Sequence, residues 1–599
     1  MGFLMKLLMM GNEAIGRGAI EAGISVFAAY PGTPSSEIPG YVAKHAKEHD
    51  VFMEYSTNEK VSLEVCIGTS WSGLRAMTTM KHVGLNVASD ALMTLTYAGV
   101  EGGLVIVSAD DPSCHSSQNE QDNRYYSLFA NMPTLEPSSP QEAYEMTKDA
   151  FDISEELGLP VMLRPTTRTC HCRAGVEVGS VRKKNEGPDF KRDVTHKVTI
   201  PAHARKLHPE LLSKIEKARG MFEGSRYNSI EGSGATGIVA SGISYAYVKE
   251  VLDSLGIEVS VFKLGTVHPI PTRMLLEFMK GKERVVVVEE MEPIVENQLK
   301  ALAYDNRLDV KIIGKPAVPR VGELNTNIVR ESLSKALSLG LEPRQYGEIT
   351  EELPPRPPML CPGCPHRASF HCINKTSKKW IKPSDIGCYT LGMMPPLNAV
   401  DTTFCMGGSI GISCGLAAAG NKEVIASIGD STFFHTGFPP LIDAIYNRHD
   451  ITVVIMDNRT TAMTGHQPNP GTGFNATMDP APMIDIGRVC EALGAFTQIV
   501  DPFDLEATTQ AMKDANEHEG PSVVITKSPC MLLEKKSVVA GEGYHVNEEK
   551  CKGCKICINQ LGCPAMLFKE EEKKAEIDDM LCVNCGVCAQ VCPYDAIEM

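Results

Sequence analysis

Aromatic residues are scarce in this chain. Phe, Trp and Tyr make up 6% of its 599 residues, although 43% are hydrophobic. Apolar content carried mainly by aliphatic side chains suits the layered sheets and helices of an α/β protein. Clusters of Lys and Arg are also lacking, and the net charge is −16, so no nucleic-acid partner is expected. No apolar stretch approaches the roughly 20 residues that cross a bilayer, so no membrane association is expected and a cytoplasmic location is. Residues Met1 to Met10 are apolar apart from Lys6. The run is short, lacks a small-residue cleavage site and flows into Gly11-Asn12-Glu13-Ala14-Ile15-Gly16-Arg17-Gly18. It therefore reads as a buried strand, a glycine turn and a helix, not as a secretory leader. A chain this long exceeds one hydrophobic core, and roughly three to five domains are expected.

Cysteine, in contrast, is abundant, with 20 residues. Disulfide frameworks of that density belong to short secreted domains. Here most cysteines fall at cluster spacings, which fits a reducing cytosol. Eight lie after residue 550: Cys551-x2-Cys554-x2-Cys557-x5-Cys563-Pro564, then Cys582-x2-Cys585-x2-Cys588-x3-Cys592-Pro593. Paired zinc sites or disulfides are the competing reading. The doubled C-x2-C-x2-C with a trailing Cys-Pro instead resembles a two-cluster bacterial ferredoxin, in which each distant fourth thiolate completes the other cube. The resemblance implies one [4Fe–4S] cluster on Cys551, Cys554, Cys557 and Cys592, and a second on Cys582, Cys585, Cys588 and Cys563. The x5 spacing before Cys563 departs from the usual x3.

Upstream, residues 1–180 alternate apolar runs with helical patterns. Gly103–Ser108 and Leu159–Arg164 read as buried parallel strands. Residues 181–234 are charged and irregular, with one helix expected near 209–220. A second α/β unit starts at Thr236, with strands over 237–241, 259–263 and 284–289 and a helix over 245–255. A proline-rich linker at 351–358 leads into a third α/β unit over about 359–535. The ferredoxin-like module follows the glycine-containing stretch at 541–543.

In the third unit a strand runs into Gly429-Asp430-Ser431, and a second strand runs into Asp457-Asn458-Arg459-Thr460. Gly-Asp-Ser after a strand is by itself ordinary turn chemistry. The pair of segments resembles the thiamine-diphosphate motif written GDG…NN, with Ser431 in place of the last glycine. Magnesium takes hard oxygen ligands and bridges phosphates. The resemblance implies Asp430, the Asn458 side-chain oxygen and the Thr460 carbonyl for that role. Gly429 would let the backbone approach the diphosphate at a helix N-terminus.

Three further segments extend the likeness: Tyr30-Pro31-Gly32-Thr33-Pro34-Ser35-Ser36-Glu37, Ser56-Thr57-Asn58-Glu59-Lys60, and Leu360-Cys361-Pro362-Gly363-Cys364-Pro365-His366-Arg367. With them the chain resembles the 2-oxoacid:ferredoxin oxidoreductases over nearly its whole length, and most closely the large (alpha) subunit of indolepyruvate:ferredoxin oxidoreductase. The resemblance implies a multidomain α/β thiamine-diphosphate enzyme. Its parts are a parallel-sheet pyrimidine-binding domain (1–200), a transketolase-C-like domain (235–345), a parallel-sheet diphosphate-binding domain (355–535) and a 2[4Fe–4S] ferredoxin-like domain (541–599).

It also implies roles. Glu59 is the carboxylate set against the aminopyrimidine ring, with Glu54 and Glu64 as neighbouring competitors and helix capping as the plainer reading. Thr33 lies near the reactive carbon, or is a plain turn hydroxyl. Cys361, Cys364, Cys388 and Cys530 hold a third, proximal [4Fe–4S] cluster, or are buried thiols. Cys170-His171-Cys172 reads as packing at a strand end. Some pyruvate enzymes of the superfamily anchor the substrate carboxylate with an arginine on the segment near residues 95–102. This chain has Thr96-Tyr97-Ala98-Gly99-Val100-Glu101 there, which would leave room for an aryl side chain. Lys81, His82, Asn86, Arg164 and Arg168 are candidate polar contacts, each also readable as structural or solvent-facing. The implied reaction converts an arylpyruvate, coenzyme A and oxidised ferredoxin to arylacetyl-CoA, CO2 and reduced ferredoxin, with a small beta subunit completing a hetero-oligomer. A ferredoxin oxidoreductase for another 2-oxoacid, a non-oxidative thiamine decarboxylase and an electron-transfer iron–sulfur protein are the alternatives.

Overall fold

A computed structural model of the chain describes residues 5–342, 353–354, 357–533 and 543–599. It divides into two compact units, residues 1–349 and 350–599. Half of the proline-rich linker at 351–358 and most of the stretch at 541–543 lie outside the described residues, as do the domain limits placed at 345, 355, 535 and 541.

Among the described residues the first unit holds two large sheets and one two-stranded pair. The larger runs Thr266–His268, Thr134–Leu135, Val161–Leu163, Leu104–Ala109, Ala76–Lys81, Val26–Ala29, Phe52–Tyr55. All neighbours are parallel except Thr266–His268, which pairs antiparallel with Thr134–Leu135. Its central strands Ala76–Lys81 and Leu104–Ala109 are buried along their whole length, as expected where helices cover both faces. The edge strand Thr266–His268 comes from the following α/β segment, so the segment taken to start at 236 contributes to both sheets.

The smaller sheet runs Lys311–Ile313, Arg284–Val288, Thr236–Ser241, Ser260–Leu264, Asn228–Glu231. Its last strand lies inside the stretch read as an irregular connection. The helix expected near 209–220 spans Pro201–Phe222 and buries Leu207, Leu211, Ile215, Ala218 and Phe222 along one face. Pro209, inside it, is what a sequence reading takes for a helix start.

The amino-terminal strand Met5–Met10 exists but is not buried. It pairs only with Arg173–Val178, antiparallel, and Met5 and Leu8 are 54% and 73% exposed. No glycine turn follows, because Gly11 is the first residue of helix Gly11–Glu21. Glycine is needed there for close approach: a Cβ would lie 1.8 Å from the Thr169 carbonyl oxygen. The Cys170-His171-Cys172 segment closes a short helix, Thr167–His171, and Cys170 is fully buried.

The second unit is built on a parallel sheet ordered Ile425–Gly429, Thr452–Asp457, Ser522–Lys527, Phe496–Val500. The cysteine-rich end forms two short antiparallel pairs, His545–Val546 with Ile597–Glu598 and Met566–Lys569 with Lys574–Ile577. Each carries a helix, Ile556–Leu561 or Val587–Val591. The longer spacing before Cys563 accommodates the full turn Ile556–Leu561 and Gly562, whose φ of 59° closes the helix.

Candidate functional site

In the first unit the quoted motifs gather where parallel strands end. Strands Val26–Ala29, Phe52–Tyr55 and Ala76–Lys81 lead respectively into Tyr30–Glu37, Ser56–Lys60 and His82. Open α/β sheets bind ligands at such carboxyl ends. Helix Glu59–Trp71 is capped by Asn58, whose side chain accepts from the Val61 amide at 2.9 Å. Glu59 is buried and its side chain lies over Gly84, at whose position a Cβ would sit 2.5 Å from Oε1. Its competitors are placed otherwise: Glu64 is exposed and pairs with Lys60, while Glu54 accepts from Ser56 Oγ at 2.6 Å.

Thr33 is half-buried, and its carbonyl accepts from Ser116 Oγ at 3.1 Å. The buried Lys81 donates from Nζ to the Ser116 carbonyl. Burial pushes the Lys81 ammonium down to about 8, with Asp111 opposing. His82 meets the Asn119 carbonyl at 3.2 Å, and burial, then the charge of Lys81, holds it down to about 4. Of the candidate polar contacts, Lys81 and His82 therefore stand at the strand ends. The others have structural partners. Asn86 accepts from the Tyr126 hydroxyl at 2.7 Å. Arg168 is bound to Glu323 at 2.7 Å. Arg164 is fully buried against Asp110 at 2.8 Å and against Glu136.

The segment 96–101 does not line this place. Thr96 lies near the far end of helix His82–Ala98, about 20 Å along its axis from His82 at the helical rise of about 1.5 Å per residue. Tyr97 stacks on His208 at 5.4 Å, and Glu101 pairs with Lys197. The segment expected to leave room for an aryl group therefore stands at the other end of the helix from Gly84, over which Glu59 lies.

In the second unit Gly429 and Asp457 end adjacent parallel strands. Gly429 must be small, since a Cβ would meet the Tyr389 ring at 2.6 Å. Asp430 is buried and accepts from Asn469 Nδ2 at 2.9 Å. Burial, then the neighbouring Asp457 charge, pushes its carboxyl up to about 7. Asn458 Oδ1 accepts from the Thr460 amide at 3.3 Å, and Nδ2 meets His366 Nε2 at 3.3 Å. Thr461 donates to Ser431 Oγ at 2.8 Å, joining the two motif segments. A crowded, buried carboxyl beside neutral oxygen donors fits a hard divalent cation, which would reverse the upward pKa shift.

The cysteines converge in groups. Cys361, Cys364, Cys388 and Cys530 line one cavity, and Asn458 lines it too. The Cys530 amide donates to the Asn458 carbonyl at 3.0 Å. Cys563, Cys582, Cys585 and Cys588 line a second cavity with Cys364. Cys551 and Cys557 are buried in the small core that Cys592 also packs against. The Cys557 thiol is raised by burial first, then by the charges of Cys592 and Cys554. Burial pushes Cys364 and Cys588 up to about 12. Iron would reverse this, since a coordinating thiol is deprotonated.

Four family descriptions match the chain. They are a "Pyruvate flavodoxin/ferredoxin oxidoreductase, thiamine diP-bdg" domain over residues 17–212 and an "Indolepyruvate oxidoreductase domain" over 229–352. The others are a "Thiamine pyrophosphate enzyme, C-terminal TPP binding domain" over 385–526 and a "4Fe-4S binding domain" over 575–598. The indolepyruvate oxidoreductase subunit IorA of Thermococcus kodakarensis is 52% identical, covering 99% of this chain and 97% of the relative. The chain belongs to the indolepyruvate oxidoreductase subunit IorA family. IorA of Pyrococcus horikoshii is 51% identical and that of Archaeoglobus fulgidus 46% identical, each over 99% of this chain and 97% of the relative.

Several residues of this IorA-family site were not singled out by sequence. His366 was visible inside Cys-Pro-Gly-Cys-Pro-His-Arg. Its buried ring, held down to about 4 by desolvation, stands edge-on to Tyr389 at 6.0 Å and is neutral where it meets Asn458. Asp385 accepts from the Tyr389 hydroxyl and from Ser409 Oγ at 2.8 Å. Nothing in the local pattern marks it, nor Asn469.

Proposed function

We propose that this chain catalyses the CoA-dependent oxidative decarboxylation of arylpyruvates, indolepyruvate first among them, to arylacetyl-CoA and CO2. Ferredoxin takes the two electrons one at a time, and a small beta subunit completes the enzyme. Supporting the choice of substrate is the name of the IorA relatives, indolepyruvate oxidoreductase.

Thiamine diphosphate, when bound, supplies the electron sink for loss of CO2 from a 2-oxoacid. Asp430, the Asn458 side-chain oxygen and the Thr460 carbonyl would hold a Mg2+ ion against its diphosphate, with Gly429 and Ser431 at the adjoining helix start. The Glu59 carboxylate would hold and exchange a proton with the aminopyrimidine ring, and Gly84 leaves its side chain room to lie there. Thr33 would face the substrate carbonyl. Cys361, Cys364, Cys388 and Cys530 would hold a proximal [4Fe–4S] cluster. The sets Cys551/Cys554/Cys557/Cys592 and Cys563/Cys582/Cys585/Cys588 would hold two more. These supply storage for single electrons.

The observation that carries the oxidative reading is the shared wall. The cavity of four converging cysteines is lined by Asn458 of the thiamine motif. A non-oxidative decarboxylase has no use for thiols there, and an electron carrier has no use for the thiamine motif. The test is viologen-dye reduction across a panel of 2-oxoacids, with the anaerobically purified complex including its small subunit. CoA-dependent reduction, fastest with indolepyruvate, is expected. CO2 release without dye reduction would make the chain a simple decarboxylase, and a preference for pyruvate or 2-oxoglutarate would overturn the arylpyruvate assignment.

A further inference from the structure

Arg367 is a buried cation without a carboxylate. It is 5% exposed, and none of its hydrogen bonds among the described residues reaches an acidic residue. Its guanidinium is held by backbone alone. Nη1 donates to the Leu561 and Gly562 carbonyls at 2.5 and 2.7 Å, and Nη2 donates to the Leu360 and Cys361 carbonyls. Nε is buried with no hydrogen-bond partner among the described residues. A buried charge left so is costly unless an opposite charge lies near. The groups that oppose its desolvation are thiols of two different sets, Cys563, Cys364, Cys361 and Cys585. Arg367 also lines the cavity that Cys364 shares with Cys563, Cys582, Cys585 and Cys588. Its bonded carbonyls come from both sides: those of Leu360 and Cys361 open the Cys361–Cys364 turn, while Leu561 and Gly562 precede Cys563.

We propose that Arg367 is the shared counter-ion of two iron–sulfur clusters, the one on Cys361, Cys364, Cys388 and Cys530 and the one on Cys563, Cys582, Cys585 and Cys588, and that it raises the reduction potentials of both. The inference rests on the ligand sets given under the proposed function. An iron–sulfur cube with four thiolates is an anion, and reduction adds a further negative charge. A fixed positive charge in a poorly screened interior therefore favours the reduced form. Arg367 is a positioning residue: it sets the level at which each cluster accepts an electron without carrying one.

The experiment uses the complete complex, purified anaerobically as wild type, Arg367→Gln and Arg367→Lys. Iron is counted and each cluster's midpoint potential is read by EPR-monitored redox titration. The iron and cluster count of the wild type tests the ligand sets by itself, so a missing proximal cluster is seen before any variant is read. Arg367→Gln is expected to keep its iron and to shift both flanking clusters downward by at least tenfold in the reduction equilibrium, about 59 mV for one electron. The cluster on Cys551, Cys554, Cys557 and Cys592 should stay in place, and Arg367→Lys should recover more than half of the shift. Unmoved potentials, or an equal shift of all three clusters, overturns the proposal. If Arg367→Gln loses iron, Arg367→Lys decides. Near wild-type potentials in it support the charge, whereas a full tenfold drop, or loss of iron from this variant too, makes the role structural and overturns the inference.

Discussion

Glu59 carries the clearest single-residue expectation. Its burial over Gly84 separates it from Glu54, which Ser56 occupies, and from Glu64, which faces solvent. Glu59→Gln keeps the shape and the packing but cannot exchange a proton. General acid–base assistance is worth about 10²–10⁴-fold, so kcat should fall by that order while thiamine diphosphate still binds by calorimetry. Near-normal turnover would move the activating role to another carboxylate. The motif around Glu59 was legible because its residues are consecutive. Gly84 was not, because its importance lies in contact with a helix it does not adjoin in sequence.

At the scale of elements, two pieces of the fold have measurable consequences. Strand Thr266–His268 places the His268 ring in the interior, where neither nitrogen has a partner among the described residues. Burial, then the charge of Arg219, holds it down to about 4, below the unperturbed value of about 6.5. The unfolded chain therefore binds a proton below about pH 6.5 that the folded chain refuses until about pH 4. Stability of the first unit should fall across that window as pH drops, by at most ~3 kcal/mol from this group. Denaturant titrations at pH 7 and pH 5 check it: the loss between the two should be smaller in His268→Phe than in wild type. The second piece is the turn Cys361-Pro362-Gly363-Cys364. Three clusters require about 12 irons per chain by cluster stoichiometry. Replacing Cys361 and Cys364 with serine should remove about four of them and one EPR signal. Iron content unchanged by the double substitution would place the proximal cluster elsewhere.

Across the whole molecule, the residues proposed for the chemistry divide between the two units. Glu59 belongs to the first unit, and Asp430, Asn458 and all the cysteines proposed as cluster ligands to the second. Within the second unit Cys582 and Cys585 line the cavity that Cys364 and Arg367 share, and Cys585 packs against the core of the central sheet, but neither lines the cavity of Asn458. Replacing Cys582 and Cys585 with alanine should destroy one terminal cluster, since the cube needs its thiolates, and abolish ferredoxin reduction. Release of CO2 from indolepyruvate should persist, as a single turnover or a slow decarboxylation, and rapid-quench assays with labelled substrate measure it. Loss of CO2 release from folded, thiamine-loaded protein would show that the parts do not act separately.

Features contained in short stretches of chain were determined by sequence alone: the C-x2-C-x2-C triads, the apolar strands before Gly429 and Asp457, the Cys-Pro-Gly-Cys turn and the order of the α/β segments. Their signals are spacing and periodicity, which neighbouring residues carry among themselves. The tertiary structure decided what depends on distant segments meeting. It brings Cys388 and Cys530 to the Cys361/Cys364 turn and sets Asn458 on the wall of that cavity. It exposes the amino-terminal strand by pairing it outside the main sheet. It sends Thr96 to the far end of a helix whose beginning lies at the strand ends. Arg367 shows the same division: its place in the motif is plain from sequence, but a charge held between two sets of thiols exists only once the chain has folded, because burial and contact between remote segments leave no periodic trace.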